Sequence, residues 1–167
     1  MEEGLYFAYG SNMNLDQMGY RCPDAEVVGN VQLEDYRLAF CGRTSRSGVA
    51  TISPEKGSYV NGVLWKITPA CEKSLDRYEG YPHLYGKGVV TVKDAGGSIQ
   101  SVTVYTINSP YKECPAVPSD FYLKGILEGC RQNDIPSNSI MEAVKRTMAE
   151  VKGKRQKQQK TKNHIAQ

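Results

Sequence analysis

Residues 5–9 (LYFAY) form an unbroken apolar and aromatic run halted by Gly10, the pattern of a short buried strand. Asn14 with Gln17 three positions later resembles a capping box, so a short helix is predicted from about Leu15. Further strands are predicted over 26–31, 36–41, 48–53 and 60–67. Thr68-Pro69 then places a capping hydroxyl before a proline suited to a first helical turn, and Gly80 and Pro82 stop the segment, which predicts a helix over 69–79. Residues 89–93 and 99–107 are β-rich and are joined through Asp94-Ala95-Gly96-Gly97 in the manner of a hairpin. From Ser119 onward the period changes. Leu123, Ile126, Leu127 and Cys130 recur at helical spacing up to the break at Pro136. Ser139 with Glu142 opens a last helix carrying Ile140, Val144, Met148 and Val151 on one side.

Strands followed by helices, with no internal repeat, predict an α+β fold: a closed or nearly closed sheet of about six or seven strands with flanking α-helices packed outside it. The pattern alone leaves barrel and open sheet both standing. A chain of 167 residues is long enough for one domain, and 40% hydrophobic with 23% charged residues is the composition of a globular one. No apolar stretch approaches the roughly 18 residues of a spanning helix, and the acidic start Met1-Glu2-Glu3 is unlike a signal peptide, so a cytoplasmic protein is expected. The five cysteines are scattered and never spaced as CxxC, which suggests neither a disulfide framework nor a zinc site.

Charge divides the chain unevenly. Residues 151–167 hold six of the 21 basic side chains and no acid, so removing them leaves 15 basic against 18 acidic and turns the formal +3 into about −3. This polar stretch has too little apolar surface to offset its ordering entropy, so it is read as a disordered basic tail after a domain spanning 1–150. Contact with nucleic acid or an anionic membrane is expected only through this tail, by counterion release; a merely solvated terminus is the plainer reading.

Most chemical motifs are missing. There is no Walker loop, and Gly86-Lys87-Gly88 lacks the third glycine and the strand-to-helix setting of a dinucleotide fingerprint. Ser11 lacks the first glycine of GxSxG, and only His83 could serve it as a partner. Two histidines and dispersed cysteines leave no metal cluster, so no metal is expected. Two features remain. In Tyr9-Gly10-Ser11-Asn12 the glycine permits a sharp turn whose amides can point outward as an anion site, unless the turn is only a connector. Glu79 is either an ordinary solvated glutamate or a carboxyl with a raised pKa, because it sits in a last helical turn beside Tyr78, Tyr81 and Tyr85. A general acid or base working near neutrality requires the second.

The stretch YFAYGSNMN at 6–14, taken with SLDRYEGYPHLYGKGVVTV at 74–92, resembles the γ-glutamylcyclotransferase family. The strand around Tyr105 and the segment at 117–136 extend the resemblance to about 140 residues, but not to the tail. It implies a small mixed barrel with flanking helices, a small-molecule γ-glutamyl substrate, no cofactor, and the homodimers common in the family. It also implies roles residue by residue: the turn Tyr9, Gly10, Ser11 and Asn12 holds substrate through its amides, Glu79 is the catalytic acid/base, and Tyr85 and Tyr105 line the cavity. The expected reaction is attack of a γ-glutamyl α-amine on its own δ-carbonyl, releasing 5-oxoproline and an amine or amino acid. A non-catalytic small-molecule-binding or interaction module of the same fold is the alternative.

Overall fold

The computed structural model describes residues 4–166. Five strands build it: β1 (Gly4–Ala8), β2 (Glu26–Cys41), β3 (Val49–Ile67), β4 (Tyr85–Asp94) and β5 (Ile99–Ile107). They close into a barrel in the order β1-β3-β2-β4-β5. Neighbours are antiparallel except at the seam, where β1 lies parallel to β5 with Tyr6 opposite Thr103. Closure settles what the sequence pattern left open and removes the exposed edges of an open sheet.

The strand count is five rather than six or seven because two pairs of predicted strands are continuous. The break expected between 31 and 36 is an irregularity in β2, where the register against β3 shifts between Glu34 and Tyr36. Asp35 takes φ 64 there, a left-handed conformation that aspartate tolerates, and its Oδ1 accepts a hydrogen bond from Gly57 N at 3.0 Å. Residues 54–59 likewise stay within β3, with Pro54 opposite Tyr36 and Tyr59 opposite Glu34, while 55–58 bulge opposite Asp35.

Four α-helices flank the barrel: α1 (Leu15–Arg21), α2 (Pro69–Glu79), α3 (Asp120–Gln132) and α4 (Asn138–Ala166). The α2 helix begins and ends where local chemistry predicts. Thr68 Oγ1 accepts from Cys71 N at 3.2 Å, Pro69 occupies the first turn, and Gly80 closes the helix with φ 66. Ile126 and Cys130 of α3 and Ile140, Ala143 and Val144 of α4 bury against the barrel, whereas Met148 is exposed and Thr147 takes the inward place.

The stretch from 151 onward differs from its expected disorder, for α4 continues through it as helix. Val151 is buried, Lys154 Nζ donates to Glu113 O at 2.9 Å, and Arg155 donates to Ser45 Oγ at 3.1 Å. The physical reason is that a helix already nucleated by a buried face extends cheaply through Lys, Arg and Gln, which are good helix formers. No helix among the described residues is long and apolar enough to cross a membrane.

Candidate functional site

One end of the barrel opens into a cavity of about 210 Å³. The chain between β1 and α1 forms its floor. Gly10 ends the strand, Ser11–Met13 makes one 3-10 turn, and Asn14 caps α1 by accepting from Gln17 N at 3.0 Å. Ser11 and Asn12 open that short turn, so their amides have no acceptor within it. Gly10 is needed for a reason other than a left-handed backbone, since its φ is −125. A Cβ at this position would sit 3.0 Å from the Ala50 Cβ of β3 and 3.7 Å from the Tyr122 hydroxyl, so the residue is small because β3 and α3 crowd the turn.

Long-range hydrogen bonds hold the turn rigid. Asn12 Nδ2 donates to Tyr6 Oη at 3.0 Å, its Oδ1 accepts from Arg21 at 2.6 Å, and its backbone carbonyl accepts from Trp65 Nε1 at 3.0 Å. At the end of α3, the capping residue Asn133 donates from Nδ2 to Met13 O at 2.7 Å, while Gln132 Oε1 accepts from Leu15 N at 2.7 Å. Ser11 Oγ lies 3.1 Å from Tyr78 Oη, and among the described residues no histidine stands beside it, His83 being exposed, so they form no serine-hydrolase pair.

Glu79 is the last residue of α2 and lines the cavity with Tyr9, Gly10, Ser11, Asn12, Tyr85 and Tyr105. The seven residues to which the resemblance assigns roles thus meet in one place. Glu79 as a whole is of intermediate exposure, but protein crowds its carboxyl, and this desolvation lifts it to about 7 against a weaker opposing pull from Arg21. Among the described residues it has no hydrogen-bonding partner in the protein. Of its three predicted aromatic neighbours, Tyr78 and Tyr85 line the cavity and Tyr81 does not. Tyr81 is exposed, with Lys87 Nζ 4.4 Å from its ring centre, because the turn after Gly80 carries it away.

Tyr6, Tyr122 and Arg21 are site residues that sequence reasoning missed. Tyr6 offered a faint signal, being in the same aromatic run as Tyr9. Tyr122 and Arg21 offered none, since each reaches the cavity or the turn only through helix packing. Burial pushes the hydroxyls of Tyr6, Tyr9, Tyr85, Tyr105 and Tyr122 up from the usual phenol range. Tyr9 donates to Tyr105 O at 2.5 Å, Tyr85 donates to Ala50 O at 2.6 Å, and Tyr122 Oη accepts from Ala50 N at 3.0 Å. The backbone of Ala50 is therefore gripped from both sides. Among the described residues no three His, Cys, Asp or Glu side chains gather as a metal site.

A small cavity walled by phenols, with a neutral-range carboxyl and free amides, is suited to fold a small polar substrate and move a proton within it. Comparisons with known proteins identify the family. The sequence profile of the family described as γ-glutamyl cyclotransferase, AIG2-like, matches residues 6–124, and the chain belongs to that family. It is 35% identical over 142 residues to the γ-glutamylcyclotransferase of Bos taurus, covering 81% of this chain and 74% of that protein. The Homo sapiens γ-glutamylcyclotransferase is likewise 35% identical, over 143 residues. A solved γ-glutamyl cyclotransferase structure superposes with a TM-score of 0.73 at 32% identity, covering 89% of this chain and 88% of the other.

Proposed function

We propose that this cyclotransferase closes the γ-glutamyl group of its substrate into 5-oxoproline with Glu79 as acid and base. The α-amine attacks the δ-carbonyl carbon, the amide C–N bond breaks, and the attached amine or amino acid leaves. Glu79 takes a proton from the α-ammonium and returns one to the leaving nitrogen. The amides of Ser11 and Asn12 bind the α-carboxylate or the developing oxyanion, and the tyrosine wall fixes the folded conformer. Because the nucleophile is tethered, orientation can supply up to about 7 to 11 kcal/mol of the barrier.

The raised pKa of Glu79 is the observation that carries this reading. An α-ammonium has a pKa of about 8, so transfer to an ordinary glutamate costs about 5 kcal/mol. Transfer to a carboxyl at about 7 costs only about 1.4 kcal/mol. A screen of γ-glutamyl amino acids, γ-glutamyl amines and glutathione for released 5-oxoproline tests the reading and identifies the leaving group. No release from any of them would favour a binding module.

A further inference from the structure

Asp76 and Lys87 stand outside the cavity lining, yet both are tied to one of its walls. Lys87 in β4 is the cross-strand partner of Tyr105 in β5. Its Nζ lies 3.0 Å from Glu72 Oε1 and 3.1 Å from Asp76 Oδ1, so it joins two carboxylates of α2. Asp76 Oδ1 also accepts the Tyr105 hydroxyl at 2.5 Å. The backbone carbonyl of Tyr105 accepts the Tyr9 hydroxyl, and its ring packs edge-on against Tyr6 at 5.8 Å. Tyr105 is therefore held at its ring, its backbone and its oxygen.

Counting protons gives this network a direction. A phenol has one proton to donate, and Tyr105 commits it to Asp76. What its oxygen can still offer a ligand is a lone pair, made more negative by the carboxylate behind it. Glu72, Asp76 and Lys87 together carry one net negative charge, which favours a cation over an anion at that oxygen. Tyr6 and Tyr122, by contrast, accept from Asn12 and from Ala50 and keep their protons for other partners.

We infer that Asp76, clamped by Lys87, is a positioning residue that turns Tyr105 into a hydrogen-bond acceptor for the α-ammonium of the substrate. This rests on the γ-glutamyl reading of the cavity and assigns the amine end of that substrate to the Tyr105 side. The recognised feature is a primary ammonium two carbons from the methylene that bears the δ-carbonyl; the leaving group plays no part in it.

The test compares a γ-glutamyl alkylamide substrate with its counterpart lacking the α-amine, the glutaric acid monoalkylamide, used as an inhibitor. Asp76→Asn should raise KM for the substrate about ten-fold, the size of one lost charge-assisted hydrogen bond, while Ki for the inhibitor stays within about two-fold. Tyr105→Phe should do the same, and combining the two should cost no more than either alone, since Asp76 acts through Tyr105. Parallel changes in KM and Ki would mean general loosening and overturn the inference, as would additive losses in the double variant or an unchanged KM in both single ones. If Asp76→Asn does not fold, the selective effect of Tyr105→Phe still decides whether the oxygen reads the ammonium. Should the unsubstituted protein release no 5-oxoproline from any γ-glutamyl amide, the reading of the cavity fails instead.

Discussion

Asp76 and Glu79 lie one turn apart on α2 and live in opposite surroundings. Asp76 is met by the Lys87 ammonium and the Tyr105 hydroxyl, so its charge is matched where it stands. Glu79 faces the cavity with no such donor, at the end of the helix where the macrodipole offers a carboxylate nothing. The same helix thus presents one carboxylate paired with two donors and one without them. A carboxylate tied to two donors is suited to orient its neighbours; a group near its own pKa is suited to exchange protons.

The sharpest way to break this contrast is to remove each charge without changing shape. Glu79→Gln should lower kcat by about 100-fold or more while the protein stays folded, because loss of a general base costs at least that much. Asp76→Asn should act on KM and leave kcat largely in place. A folded Glu79→Gln protein that releases 5-oxoproline at the normal rate would falsify the assignment.

The second expected effect follows from linkage. Folded Glu79 keeps its proton up to about pH 7, whereas an unperturbed glutamate keeps it only to about 4.5. The resulting contribution to stability is complete below about 4.5 and is lost as pH rises through 7. Glu79→Gln should therefore be more stable than the natural protein at pH 8, by up to about 3 kcal/mol, with the difference vanishing near pH 4. Kinetically, kcat/KM should rise through about pH 7 as Glu79 becomes able to accept a proton. Denaturant titrations and a pH profile check both, and a pH-independent stability difference would place the carboxyl in an ordinary solvated setting.

The floor of the cavity gives a smaller effect. Gly10→Val should push against Ala50 and Tyr122, costing about 1 to 3 kcal/mol by overpacking and raising KM through displaced amides. Unchanged melting temperature and KM would show that the turn is a connector only. The least effect is expected far from α2. Truncation after Val151 keeps that buried side chain and should leave kcat/KM within about two-fold and Tm within about 2 to 4 °C. If the cations beyond Val151 recruit a polyanion, the full chain should bind duplex DNA or heparin in a salt-dependent way that the truncated chain lacks.

By itself the sequence determined what depends on near neighbours. Thr68, Pro69 and Gly80 set the ends of α2, Asn14 set the start of α1, and Gly10 stopped β1; each acts through a cap, a fixed φ or a missing Cβ within a few residues. The turn and Glu79 were legible for the same reason, with the resemblance joining them across seventy residues. Tertiary structure decided the rest. Residues 31–36 and 54–59 look like turns locally but stay within two long strands, because β2 and β3 remain paired on either side of the irregularity at Asp35. Residues 152–163 look disordered by composition but continue a helix that buried residues upstream had already nucleated. Tyr6, Tyr122 and Arg21 join the site only because barrel closure and helix packing bring three separate elements to one turn. The pKa of Glu79 belongs to this second kind, since desolvation is a property of what surrounds a carboxyl in space and not of what precedes it in the chain.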